Sequence, residues 1–306
     1  MTDIPYSKDR SLESHQGRMN AFLELTKPRI ATLVLGATGL SFAIALPSSE
    51  VLRDHWLTWL CAVVGTGLAA GAANALNMYT ERGYDAMMPR TADRPLPSGR
   101  LSDGEALGFG VVTAGLGFLI LAAFVSWLAA GVAFLSLASY VVLYTPLKRV
   151  TPMSVFVGAV PGALPVMIGA IAATGECGRI AWMLFGIVYF WQLPHFSAIA
   201  WIYREDYEQA GYPVMPLVDS STRIDLHIMT HMVALIAASL LPVYFRVSGG
   251  LYAISAIVLG LGFLFSCLVF MISKTHYNAR LMMLTSVVYI PLLFALMLLD
   301  KLLLAA

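Results

Sequence analysis

Between Glu105 and Lys148 the sequence carries no Asp, Glu, Lys or Arg. A helix crosses the hydrocarbon core of a bilayer in about 20 residues, so residues 106–147 are long enough for two crossings. The stretch predicts two membrane helices joined by a turn near Trp127. Charged residues punctuate the rest of the chain in the same way. They leave apolar runs at 30–49, 55–80, 150–175, 180–203, 226–245, 247–273 and 281–299, with Gly249–Gly250 marking a tight connection. The total is nine helices. The runs are continuous rather than alternating, which argues against a membrane β-barrel. Only 12% of residues are charged and 58% are hydrophobic, whereas soluble domains carry about 25% charged residues. The expected fold class is therefore all-α: a polytopic membrane protein read as one domain over 1–306, with residues 1–25 as a polar cytoplasmic segment.

Lys and Arg set the orientation. Lys8, Arg10, Arg18, Lys27, Arg29, Arg82, Arg90, Arg94, Arg100, Lys148, Arg149, Arg204, Arg223, Lys274 and Arg280 fall on one side, and only Arg53, Arg179, Arg246 and Lys301 on the other. The positive-inside bias puts the N-terminus in the cytoplasm and, after an odd number of spans, the C-terminus across the membrane. The first twenty residues lack the apolar core and cleavage site of a secretory signal. Net charge is +1, so bulk charge implies no nucleic-acid partner. Cys61, Cys177 and Cys267 have no C-x-x-C spacing and indicate neither a zinc site nor a disulfide framework. The inner loops, 81–105, 148–154 and 202–225, are longer than the outer ones and carry the polar chemistry. Function is expected on that side.

The stretch Asn74–Arg100 gathers carboxylates and arginines after a membrane span. Asn77, Glu81 and Asp85 recur every four residues, and on a helix each step of four overshoots a full turn by only about 40°, so all three share a face. Such oxygens suit a hard cation such as Mg²⁺, which keeps waters and binds substrate phosphates. Arg82, Arg90, Arg94 and Arg100 lie near, and arginine makes forked contacts with phosphate. A charged loop at the membrane surface accounts for the same spacing equally well. Tyr144 to Thr151, with Lys148 and Arg149, reads first as an interfacial anchor and second as another cationic arm. Glu205 and Asp206 close the sixth span as the first acidic group closes the second. Either group alone is more often a solvated helix end; the two together look like a metal–diphosphate site. His195, beside Pro194 inside the sixth run, is a polar group in an apolar span, where histidine can ligate haem iron or move protons. His227 and His231 share a face, but satisfied imidazoles at an interfacial helix start explain them better than a metal does.

The run Asn77-Met-Tyr-Thr-Glu81-Arg-Gly-Tyr-Asp85, then Met88-Pro-Arg90-Thr91 and Arg94-Pro-Leu-Pro-Ser-Gly-Arg100, resembles the UbiA-type intramembrane prenyltransferase superfamily. Within it, the resemblance is to the haem branch, the protoheme IX farnesyltransferases or haem O synthases. Thr26-Lys-Pro-Arg-Ile30, Tyr144 to Thr151, Gly162-Ala-Leu-Pro165 and Pro194-His-Phe196 extend it. So do Asp206-Tyr207 with Ala210-Gly211, Pro213 and Met215-Pro216, and Tyr289 to Asp300. The match therefore covers nearly the whole chain. The Arg-Thr…Arg-Pro-Leu-Pro and Pro-His-Phe blocks set it apart from quinone-type members. The chain departs from the superfamily's N-x-x-x-D-x-x-x-D pattern by Glu81 at the middle position. Gly83 and Ala210 stand where relatives often carry acids.

The resemblance implies nine helices around a central cavity with a polar cytoplasmic mouth, in a cell inner membrane. It implies that farnesyl diphosphate and haem B are substrates, joined with water to give haem O and diphosphate. Mg²⁺ would be held by Asn77, Glu81, Asp85 and Asp206, with Glu205 as a further ligand. Arg90, Arg94, Lys148 and Arg149 would neutralise the diphosphate. His195 would contact the haem, which is substrate and not cofactor. A haem A synthase is the candidate recipient of the product. Two rivals stand beside this reading: a UbiA-type enzyme acting on a quinone precursor or other aromatic ring, and a transporter of haem or a polyprenyl compound.

Overall fold

The computed structural model describes residues 17–46 and 53–305. Lys8, Arg10 and Glu50, which the orientation and span assignments use, lie outside the described residues. Among the described residues, nine helices are long and apolar enough to cross a membrane. They are α1 (Pro28–Ala45), α2 (Trp56–Asp85), α3 (Asp103–Phe124), α4 (Trp127–Leu147), α5 (Ser154–Thr174), α6 (Arg179–Ile202), α7 (Ser221–Tyr244), α8 (Gly250–Ile272) and α9 (His276–Ala305). No strand occurs among the described residues.

Local chemistry sets the boundaries. The turn expected near Trp127 falls at Val125–Ser126, where the Ser126 hydroxyl accepts from Ala129 N at 3.1 Å and starts α4. Ser102 and Glu105 form a reciprocal capping box at the start of α3. Gly249 precedes α8 as the glycine pair predicts. Other boundaries differ from the charge-delimited spans. α2 runs on to Asp85, α7 begins at Ser221 and α9 at His276. Charged residues end an apolar run but not a helix when they find partners. Asp225 on the first turns of α7 pairs with Lys274 at 2.8 Å, and Arg223 pairs with Asp219 at 3.1 Å.

α5 is the axis of the bundle. Ala163 through Ile171 are all buried, as expected of a helix apolar all round. It packs on α1, α4 and α6. Gly169 permits the α1 contact, since a Cβ there would lie 2.1 Å from Ser41 Oγ and 2.2 Å from the Thr38 carbonyl. Without a hydrophobic drive between helices in lipid, such small-residue seams let backbones meet. The outward faces are apolar: Val111, Leu119, Val258, Leu261 and Phe265 are exposed.

Two charges on α9 tie the end of the bundle opposite the Asn77 motif. Asp300, buried, accepts from the backbone N–H groups of Gly249 and Tyr252 at the start of α8. Lys301 Nζ donates to the carbonyls of Ile44 and Leu46 at the end of α1. An anion at a helix N-terminus and a cation at a C-terminus both oppose the helix dipoles. Asp300→Ala is expected to lower stability by about 1.5–3 kcal/mol, the range for hydrogen bonds to a charged group. Thermal unfolding in detergent measures it, and whatever chemistry the Asn77 motif carries should persist below the transition, because the motif lies at the other end.

Candidate active site

The four-residue spacing of Asn77, Glu81 and Asp85 is realised on the last turns of α2, where all three are buried, at 2%, 3% and 1% exposure. Each meets a cation from a different segment. Lys27, at the start of α1, donates to Asn77 Oδ1 at 2.9 Å. Lys148, at the end of α4, donates to Glu81 Oε1 at 3.2 Å. Arg94, from the α2–α3 loop, donates to Asp85 Oδ2 at 2.7 Å. The other oxygen of Asp85 is buried with no hydrogen-bond partner. A buried acceptor left unmatched is costly, and a cation at this spot would satisfy it.

A six-residue π turn, Ser139–Tyr144, precedes the segment that delivers Lys148. Gly158 on α5 makes room for it, since a Cβ there would lie 2.6 Å from the Tyr144 ring. Arg149 lies over the Tyr84 ring at 4.4 Å and donates to the Thr80 carbonyl, while its Nε has no partner. Asp206, in the short helix Arg204–Gln209, pairs with Arg90 at 3.6 Å and joins the α2–α3 loop to the α6–α7 loop. A small apolar cluster of Met88, Ala210 and Tyr212 closes the same junction.

Lys27 and Tyr212 belong to this cluster although their roles were not read from the sequence. Lys27 has a left-handed backbone, φ 51°, strained for a non-glycine residue. Burial of its ammonium, and then the charge of Arg94, pull its pKa down to about 7. A cation at a helix N-terminus adds to the positive end of the dipole, and that misfit, in Thr26-Lys27-Pro28, is the available signal. Tyr212 directs its hydroxyl at Glu81 Oε1, 3.4 Å away, and its ring lies 4.6 Å from Lys148 Nζ. Burial pushes the phenol up, so it stays a donor.

The match to the UbiA prenyltransferase family spans residues 32–299. The chain belongs to the UbiA prenyltransferase family. Similar proteins include the protoheme IX farnesyltransferase of Solibacter usitatus, 45% identical over 92% of this chain and 99% of that protein. Those of Opitutus terrae (38%, covering 94% and 97%) and Salinibacter ruber (40%, covering 91% and 98%) are also similar. Among solved structures, a digeranylgeranylglyceryl phosphate synthase matches with a TM-score of 0.74 at 15% identity over 93% of this chain and 99% of that one. A UbiA homologue of Archaeoglobus fulgidus bound to GPP and Mg²⁺ matches with 0.61 at 16% identity, covering 90% and 99%. These structures share the fold.

In this UbiA family member the remaining candidates are placed apart. The Glu205 side chain is 77% exposed and pairs with Arg204. Arg82 pairs with Asp103, and Arg100 forks onto Glu24. His195 Nδ1 lies 2.7 Å from Ser286 Oγ on α9, with its ring stacked on Trp191. His231 Nδ1 lies 2.6 Å from the His227 carbonyl. Among the described residues no three His, Cys, Asp or Glu side chains converge as a metal site. The α2 triad brings two carboxylates and an amide oxygen. A cavity of about 90 Å³ is lined by Lys148 together with Tyr144, Phe196, Tyr207, Val214 and His227.

Proposed function

We propose that this prenyltransferase transfers the farnesyl group of farnesyl diphosphate to a vinyl group of haem B, with water addition, giving haem O and diphosphate. The reaction class rests on one observation: three oxygen donors and the cations Lys27, Arg94 and Lys148 meet in a single buried place at the mouth of an apolar bundle. The choice of haem rests on the protoheme IX farnesyltransferases to which the chain is similar over almost its whole length.

Asn77, Glu81 and Asp85 offer hard oxygens on successive turns, and Asp85 has an orphaned buried oxygen. These residues fit Mg²⁺, with Asp206 as the donor from the second loop. When bound, the metal supplies positive charge that stabilises the departing diphosphate. Lys27, Arg94, Lys148, Arg90 and Arg149 bind the other diphosphate oxygens and hold the allylic C–O bond where its electron pair leaves toward cations. The apolar walls keep water from the allylic cation. The vinyl π pair forms the new C–C bond, and water then adds to the cation beside the porphyrin, releasing a proton. The 90 Å³ cavity is small beside the roughly 300–1,000 Å³ of ligand pockets. His195 is kept as the haem contact, through iron or propionate, and Glu205 as an outer acid near the metal. The mouth faces the cytoplasm of a cell inner membrane on the Lys/Arg asymmetry, and a haem A synthase receives the product.

The test is incubation of purified protein with haem B, farnesyl diphosphate and Mg²⁺, followed by chromatography and mass spectrometry of the porphyrin. Haem heavier by one farnesyl group and one hydroxyl is expected, the water's remaining hydrogen having left as a proton. Unchanged haem, with prenylation of a quinone precursor instead, would overturn the choice of acceptor.

A further inference from the structure

Thr145 is fully buried at the point where α4 leaves its π turn. Its hydroxyl donates to the Tyr140 carbonyl at 2.8 Å and accepts from Asn77 Nδ2 at 3.1 Å. A hydroxyl has one hydrogen. With that hydrogen on Tyr140, Thr145 can only accept from Asn77, which fixes the amide nitrogen toward Thr145. At the other end Lys27 Nζ, which as an ammonium only donates, lies 2.9 Å from Oδ1. The two partners demand the same orientation, so the amide is not free to flip. Reversed, it would aim two N–H groups at any cation held by α2.

The π turn makes this possible. The backbone N–H of Thr145 bonds to the carbonyl five residues back, that of Tyr140. One extra residue in the turn rotates everything after it by about 100° relative to an unbroken α-helix. The same rotation carries the Thr145 hydroxyl to Asn77 and the Lys148 ammonium to Glu81. We infer that Thr145 is a positioning residue: it holds Asn77 Oδ1 toward the metal and diphosphate without touching either. The inference rests on the α2 triad being the metal site proposed above.

The test compares Thr145→Val, which keeps the volume and loses the hydroxyl, with Thr145→Ser, which keeps the hydroxyl. Binding of farnesyl diphosphate is measured by calorimetry against Mg²⁺ concentration, without haem and so without turnover. Melting temperature in Mg²⁺-free buffer reports the fold. Removing a group that orients a metal ligand typically costs about 10–100-fold in metal affinity. The Mg²⁺ midpoint of Thr145→Val is expected to rise by that factor, while Thr145→Ser stays near the unaltered protein. If Thr145→Val does not fold, Thr145→Ala carries the same expectation. An unchanged midpoint without the hydroxyl overturns the inference. So does an equal shift in Thr145→Ser, which would assign the effect to methyl packing. If the unaltered protein shows no Mg²⁺-dependent binding, the metal-site reading itself fails and this inference goes with it.

Discussion

Asp85→Asn is expected to reduce haem O formation by about 10²–10³-fold, the scale for losing one group that acts on transition-state charge, while the protein still folds and inserts. Asp85 is 1% exposed, with one oxygen 2.7 Å from Arg94 Nη1 and the other unmatched. The substitution keeps the shape and removes the charge. It also turns one oxygen into an N–H₂ donor, which opposes either Arg94 or the metal. The Arg94 side chain is 22% exposed, so its freed charge reaches water and the stability cost stays small. Initial rates with saturating haem, alongside a melting curve, separate the two effects. The same variant discriminates against the transporter reading, since a carrier has no leaving group to stabilise and should move its cargo at an unaltered rate. Retention of near-normal turnover in Asp85→Asn would remove α2 from the chemistry.

The helix count was legible because the bilayer imposes a length on every apolar run, and the nine runs correspond to nine helices among the described residues. The α2 triad was legible for a related reason: spacing by four survives on any helix, whatever surrounds it. The ends of helices were not, because a charge marks the end of an apolar run and not of a helix. Partners supplied from elsewhere in the fold, such as Lys274 for Asp225, let the helices continue. The π turn left no mark in Ser139-Tyr-Val-Val-Leu-Tyr144, an ordinary apolar string. Its cause is tertiary, in the seat for Tyr144 against Gly158 and the reach of Thr145 to Asn77. Neighbouring acids also part company in the fold, because adjacent helical positions point about 100° apart. Asp206 turns to Arg90 and Glu205 turns outward to Arg204.

Lys148→Met is expected to damage the protein twice, and a second substitution should repair only one of the injuries. Glu81 is 3% exposed. Its Oε1 accepts from Lys148 at 3.2 Å and from the more distant Tyr212 hydroxyl at 3.4 Å. Removing the ammonium leaves a buried carboxylate without its counter-charge, which costs about 3–5 kcal/mol when a buried pair is broken from one side. It also removes a diphosphate-binding cation, expected to cost about 10²–10³-fold in turnover. Glu81→Gln added to Lys148→Met discharges the stranded carboxylate. Replacing both members of a buried pair is often close to neutral for stability, so the melting temperature should return most of the way. Activity should not return, since the double variant has lost both an oxygen donor and a cation. Melting curves and product chromatography on the two single variants and the double variant complete the cycle. Recovery of turnover together with stability would mean that Glu81 and Lys148 are a structural strut, and the cationic site for the diphosphate would have to lie elsewhere.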